Sequence, residues 1–241
     1  MTGSAVQKTG HRDIRTQRED RALCGLVQQR AMQVDVLAEF LGTGRNHVYE
    51  LAANFRTAGL VHPLRRIGAG PKWIVPTRRA VTWFFGHSRP DWQPSPLWSI
   101  RGRAVARTRI ALGATAREEW ESERELSYRA HHPRRYPYDG QVLRTDGVNE
   151  AVLVITTADT SAADLVQQAT RAGQRAVDDR CARLLIVHTE PAGAALVRAA
   201  VTSAPLSVTL GVTTVTLEAL TRDGRAALRD IRAGQRMKSV A

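Results

Sequence analysis

Thr43-Gly44-Arg45-Asn46-His47-Val48-Tyr49-Glu50-Leu51-Ala52-Ala53-Asn54-Phe55-Arg56-Thr57 is the stretch on which the fold turns. Val48, Leu51, Ala52 and Phe55 fall at i, i+3, i+4 and i+7, which is one apolar stripe of a helix. Thr43 is the expected N-cap, and Gly59 the stop. Upstream, Val36, Leu37, Phe40 and Leu41 share a face of a short helix from Asp35 that Gly42 ends. From Arg18, Ala22, Leu23, Leu26 and Val27 recur at helical spacing until Gln28-Gln29-Arg30. Downstream, the strand-like runs at 60–62 and 64–67 lead to a turn, Gly68-Ala69-Gly70-Pro71. Lys72–Val75 returns as a strand, Pro76 closes it, and Thr77 starts a helix through Ala80, Val81, Trp83 and Phe84. Trp73 and Trp83-Phe84-Phe85 read as core residues.

Three helices followed by a hairpin is the order of a winged helix-turn-helix, placed here on residues 18–86 with a polar, basic tail at 1–17. Residues 86–97 carry three prolines, and residues 99–113 carry Arg101, Arg103, Arg107 and Arg109. Positions 87–115 therefore read as a linker and a basic helix. That helix either touches a polyanion backbone or pairs with the acidic run 118–125. The remainder, 116–241, alternates strands (142–143, 151–156, 184–188, 207–210, 212–217) with helices (162–177, 192–202, and a terminal one around Ala226–Ile231). The expected fold class is α+β: the winged unit, then a small α/β domain with a partly parallel sheet.

Charge separates the two halves. The 241 residues carry a formal +12, with 35 Lys/Arg against 23 Asp/Glu. Residues 1–110 hold 18 Lys/Arg and 7 Asp/Glu, whereas 111–241 hold 17 and 16. A polyanionic partner would meet the first half. Only Lys8, Lys72 and Lys238 are lysine. No apolar run approaches the roughly 18–20 residues of a membrane helix. Met1–Gly10 lacks the apolar core of a signal peptide. Cys24 and Cys181 lie far apart in apolar surroundings, as reduced cysteines of a cytoplasmic protein would. No metal-ligand spacing stands out, and no metal or cofactor is expected.

The helix opposite its apolar stripe presents Asn46, Tyr49, Glu50, Ala53 and Thr57, with Arg45 and His47 in its first turn. A recognition helix enters the major groove by this end. Arg45 matches guanine and Asn46 matches adenine in bidentate fashion. Arg65, Arg66 and Lys72 flank the hairpin turn, suited to phosphate or the minor groove. The expected partner is double-stranded DNA, the contact set Thr43, Arg45, Asn46, His47, Tyr49, Arg65, Arg66 and Lys72, and the working unit a homodimer reading two half-sites.

In the second half, Trp120-Glu121-Ser122-Glu123-Arg124-Glu125-Leu126 precedes Pro137-Tyr138-Asp139-Gly140 and the apolar run 151–156. With Ala58-Gly59-Leu60-Val61 entering the hairpin, these segments resemble the replication-relaxation family of actinobacterial plasmids, phages and integrative elements. The resemblance spans most of 18–220. It implies a restriction-endonuclease-like second domain and a role in replication or DNA-relaxation steps of a mobile element, and the expected function is that of a transcriptional regulator or a replication or transfer accessory factor. It also implies an alternative, a Mg²⁺-dependent endonuclease using Glu121, Glu123 and Asp139, with Asp159 as a further ligand. The family pattern departs here: Tyr138 displaces Asp139, and no lysine lies between Lys72 and Lys238. Arginine, always protonated, cannot replace lysine as a base. A domain without catalytic residues, serving dimerisation or backbone contact, is the expectation. His131-His132 reads as part of a solvated basic loop, since no third ligand accompanies the pair.

Overall fold

Thr16 caps the first described helix reciprocally. Its Oγ1 accepts the Glu19 N–H (3.1 Å) and its own N–H reaches the Glu19 carboxylate (2.9 Å). The computed structural model describes residues 16–68, 70–87, 92–131, 135–144, 147–156, 160–224 and 226. The class is α+β, with no helix among these residues long and apolar enough to cross a membrane.

The first unit runs α1 (Gln17–Gln28), β1 (Met32–Gln33), α2 (Val34–Leu41), α3 (Arg45–Thr57), β2 (Trp73–Ile74) and α4 (Arg78–Phe85). Ala22, Leu23, Leu26 and Val27 of α1, Val36, Leu37 and Phe40 of α2, and Val48, Leu51, Ala52 and Phe55 of α3 bury one shared core. Each fully buried Leu or Phe stabilises it by about 1.5–3 kcal/mol relative to exposure. Gly25 is required there: a Cβ would lie 2.7 Å from the Phe40 ring. β1 pairs antiparallel with β2, Met32 opposite Ile74. Bridges Val61–Pro76 and Arg65–Trp73 add the outgoing arm of the hairpin.

Two local expectations change. Gly42 stops α2 in a left-handed turn (φ 64°), as read. The Thr43 N–H then bonds Ala38 O, so Thr43 stays in the turn and Gly44, not Thr43, is the N-cap of α3. Trp83 is 48 % exposed rather than core. Ala80 and Val81 occupy the inner face of α4, and Trp83 stands roughly 200° round from Val81.

The second unit is a five-stranded mixed sheet in the order β3 (Trp120–Ser122), β4 (Gly140–Val142), β5 (Glu150–Ile155), β6 (Arg183–His188), β7 (Gly211–Thr216). β3, β4 and β5 pair antiparallel, and β5, β6 and β7 pair parallel. β5 and β6 are buried on both faces, which is why they read as unbroken apolar runs. Leu153, Ile155, Leu184 and Ile186 face α7 (Ala162–Asp178) and α8 (Ala194–Ser203). Val152, Val154, Leu185 and Val187 face α5 (Pro96–Ala111) and α9 (Leu217–Asp223). The short α6 (Glu123–Arg129) follows β3 directly, capped by Ser122 and Glu125. Residues 207–210 form a turn instead of a strand, with Ser207 Oγ accepting the Thr209 N–H and Val208 fully exposed. The terminal helix expected around Ala226–Ile231 lies, beyond Ala226, outside the described residues.

α5 is the hub of both units. Ala106 packs in the first core, whereas Ala104 and Val105 pack under the sheet. Arg103, Arg107 and Arg109 are engaged within the protein. Arg103 grips the Asp35 carboxylate of α2 (2.7 and 3.0 Å) and also donates to Gln33 Oε1. Arg107 lies 3.9 Å from Glu39. Arg109 is fully buried, donating to Ala114 O (2.6 Å) and Ala116 O (3.2 Å) between the Phe40 and Trp120 rings. Burial pushes its pKa down to about 10. Arg103, Arg107 and Arg101 thus pair with Asp35, Glu39 and Asp139, while Glu119, Glu123 and Glu125 of the acidic run act on Arg109 and Arg101 through their charge. Further bonds cross between the units: Gln28 Nε2 to Trp120 O (3.0 Å), Arg124 Nη1 to Val27 O (2.9 Å) and Arg30 to Glu123 (2.7 Å).

Candidate nucleic-acid interface

Because Val48, Leu51, Ala52 and Phe55 hold α3 against the first core, its other side turns to solvent. Arg45, Asn46, Tyr49, Glu50, Ala53, Asn54, Arg56 and Thr57 are exposed. Tyr49 is 41 % exposed, one of the few large rings left on the surface. Gly44 offers no side-chain cap and no acid sits in the first turn. The leading N–H groups of α3 therefore stay open to an anionic oxygen. His47 is half-buried and engaged, 3.3 Å from an Arg18 nitrogen and 3.7 Å from Glu50. Arg18 is thus part of this surface, a residue the sequence reading left out. Thr43 is half-buried in the preceding turn.

The hairpin keeps its aromatic and aliphatic residues inside and its cations outside. Trp73, Ile74 and Val75 are buried, while Arg65, Arg66 and Lys72 are exposed. Trp73 stacks obliquely on Trp98, which meets Trp92 edge-on at 4.5 Å. This aromatic ladder anchors the hairpin to α5. Arg65 donates to Gln93 Oε1 (2.6 Å), so that side chain is tethered, whereas Arg66 and Lys72 have no such bond among the described residues. Asp35, in the first turn of α2, is held below the usual carboxylate range. Burial raises it, but the Arg103 hydrogen bond and charge outweigh this, with Arg45 adding.

The three carboxylates of the alternative site are each taken by separate arginines. Asp139 accepts from Arg101 Nε (3.1 Å) and Nη2 (2.7 Å), from Arg135 (3.0 Å) and from the Val154 N–H (2.8 Å). Glu123 pairs with Arg30 and receives the Tyr136 N–H (3.3 Å). Glu121 pairs with Arg129 (3.2 Å), and burial raises its pKa despite that charge. Glu121 lines a cleft of about 410 Å³ beside Phe85, His87 and Tyr128, which neither Glu123 nor Asp139 lines. Among the described residues no three His, Cys, Asp or Glu side chains form a set that could hold a metal ion. Asp159 and His132 lie outside the described residues. Cys24 and Cys181 are free and buried, and burial pushes their thiols up to about 12 and 11.

No family model matches the chain, and neither a curated protein nor a solved structure matches it.

Proposed function

We propose that this chain is a sequence-specific double-stranded DNA-binding protein. In this reading the first unit is a winged helix, α3 is its recognition helix and the 60–76 hairpin its wing. The observation that carries the proposal is the exposed surface of α3. Arg45, Asn46 and Tyr49 all stand in solvent at the end of the helix that has open N–H groups, and the cationic hairpin follows the same helix in the chain. Arg45 and Asn46 supply base-edge contacts, Tyr49, Arg66 and Lys72 supply contacts to the backbone, and His47 and Arg65 orient their neighbours. The protein acts as a homodimer in the cytoplasm, so that two copies of α3 read two half-sites. Its role is that of a transcriptional regulator or of a replication or transfer accessory factor of a mobile element, the setting that the resemblance to the replication-relaxation family implies.

The second unit is a nuclease-like scaffold used for structure. Engagement of Asp139, Glu123 and Glu121 by four arginines supports this over endonuclease chemistry. Selection of bound fragments from a random duplex pool tests the proposal. A recurrent motif with a footprint of two half-sites supports it. Retention of no fragment at moderate salt, or Mg²⁺-dependent nicking of supercoiled plasmid that disappears in Asp139→Ala, contradicts it.

A further inference from the structure

A cavity of about 770 Å³ opens where β5 ends, on the side of the sheet covered by α7. β5 is the strand at which pairing changes from antiparallel, with β4, to parallel, with β6. Four arginines reach this cavity from three parts of the chain: Arg101 from α5, Arg135 from the segment before β4, and Arg171 and Arg175 one turn apart on α7. Asp178 is the one carboxylate in the lining among the described residues.

Two of these guanidinium groups are fixed from behind. Arg101 is gripped at Nε and Nη2 by Asp139. Arg175 donates from Nε to Tyr136 Oη (2.6 Å) and from Nη2 to Asp179 (2.7 Å). Asp179 is in turn held by the hydroxyls of Tyr136 and Tyr138, both at 2.5 Å. In each case Nη1 makes no hydrogen bond among the described residues. Arg171 is exposed and has no ion pair among them. A carboxylate ligand needs one such fork. Several forks converging on one space match an ion with many oxygens spread over two or three centres. Leu153, Pro137 and the Tyr136 ring give the cavity an apolar wall, and Thr156 and Gln168 add neutral hydrogen-bonding groups.

We propose that this cavity binds the phosphate groups of a nucleotide, free in solution or within a single strand. The proposal does not depend on α3 reading duplex DNA, and the two can fail separately. Calorimetric titration of the full chain with ATP, and with a short thymidylate oligonucleotide, tests it. The variants are Arg171→Ala and Arg135→Ala, both exposed and dispensable to the core, with Arg198→Ala on α8 as the control cation. Loss of one charge-assisted contact predicts roughly tenfold or greater weakening in each of the first two and no change in the third. Binding of ATP assigns a free nucleotide. Binding of the oligonucleotide alone, with the same sensitivity, assigns a strand. Failure of both probes to bind, or equal affinity in all three variants, overturns the proposal.

Discussion

Replacing Asp139 by alanine separates a structural carboxylate from one kept for chemistry. Its side chain is 6 % exposed and accepts four hydrogen bonds. Arg135, more than half exposed, adds little, as surface pairs do. Arg101, 17 % exposed, would lose its only carboxylate among the described residues. Breaking a buried pair by removing one partner costs about 3–5 kcal/mol. The Val154 N–H, buried in the sheet, would be orphaned, at about 1–3 kcal/mol. The two overlap, so the expected loss is about 4–6 kcal/mol. For a chain of this size that corresponds to a fall in Tm of roughly 10–20 °C. Asp139→Asn keeps an acceptor for Val154 but loses the charge, and falls between. Urea and thermal unfolding followed by circular dichroism measure both. A loss below about 1 kcal/mol in Asp139→Ala would refute the structural assignment, since a carboxylate reserved for a metal or substrate is dispensable to folding.

Three other outcomes follow from individual contacts. Gly140→Ala drives a methyl group into the Trp120 indole, so stability falls by about 1–3 kcal/mol in urea titration. His188 is 2 % exposed, its Nδ1 is 3.1 Å from Glu190 O, and burial lowers its pKa from 6.5. The unfolded chain therefore binds its proton first. The contribution of His188 is complete above about pH 6.5 and lost as pH falls through the folded value, so His188→Asn flattens the melting profile between about pH 7 and pH 5. Arg66→Ala weakens all duplexes alike and reduces the slope of log affinity against log salt by about 0.9, read by fluorescence anisotropy.

The helices of the first unit were legible because each buries one stripe: Ala22–Val27, Val36–Leu41 and Val48–Phe55 show helical spacing and lie in one core. β5 and β6 were legible as apolar runs for the same reason, burial on both faces. β1 was not, because two residues, Met32 and Gln33, carry no period of their own and become a strand only by pairing with Trp73 and Ile74. β3 and the start of α6 were hidden in the acidic run 118–125, where Trp120 is the large apolar anchor, with Leu126 just after it. α5 read as a linker and basic helix because a helix buried against two units has no single apolar face. The carboxylates that Arg103 and Arg101 grip were not legible because Asp35 and Asp139 lie 68 and 38 residues away. The cationic cavity escaped notice for a like reason: Arg101, Arg135 and Arg171 converge only once the sheet is built.

The most direct test compares wild type with the Arg45→Ala/Asn46→Ala double variant on a selected duplex and on a scrambled one, at one fixed salt concentration. The expected result is a loss of about 1–3 kcal/mol per bidentate contact on the selected duplex, with little change on the scrambled one. Discrimination left intact in the double variant would show that α3 does not read the bases.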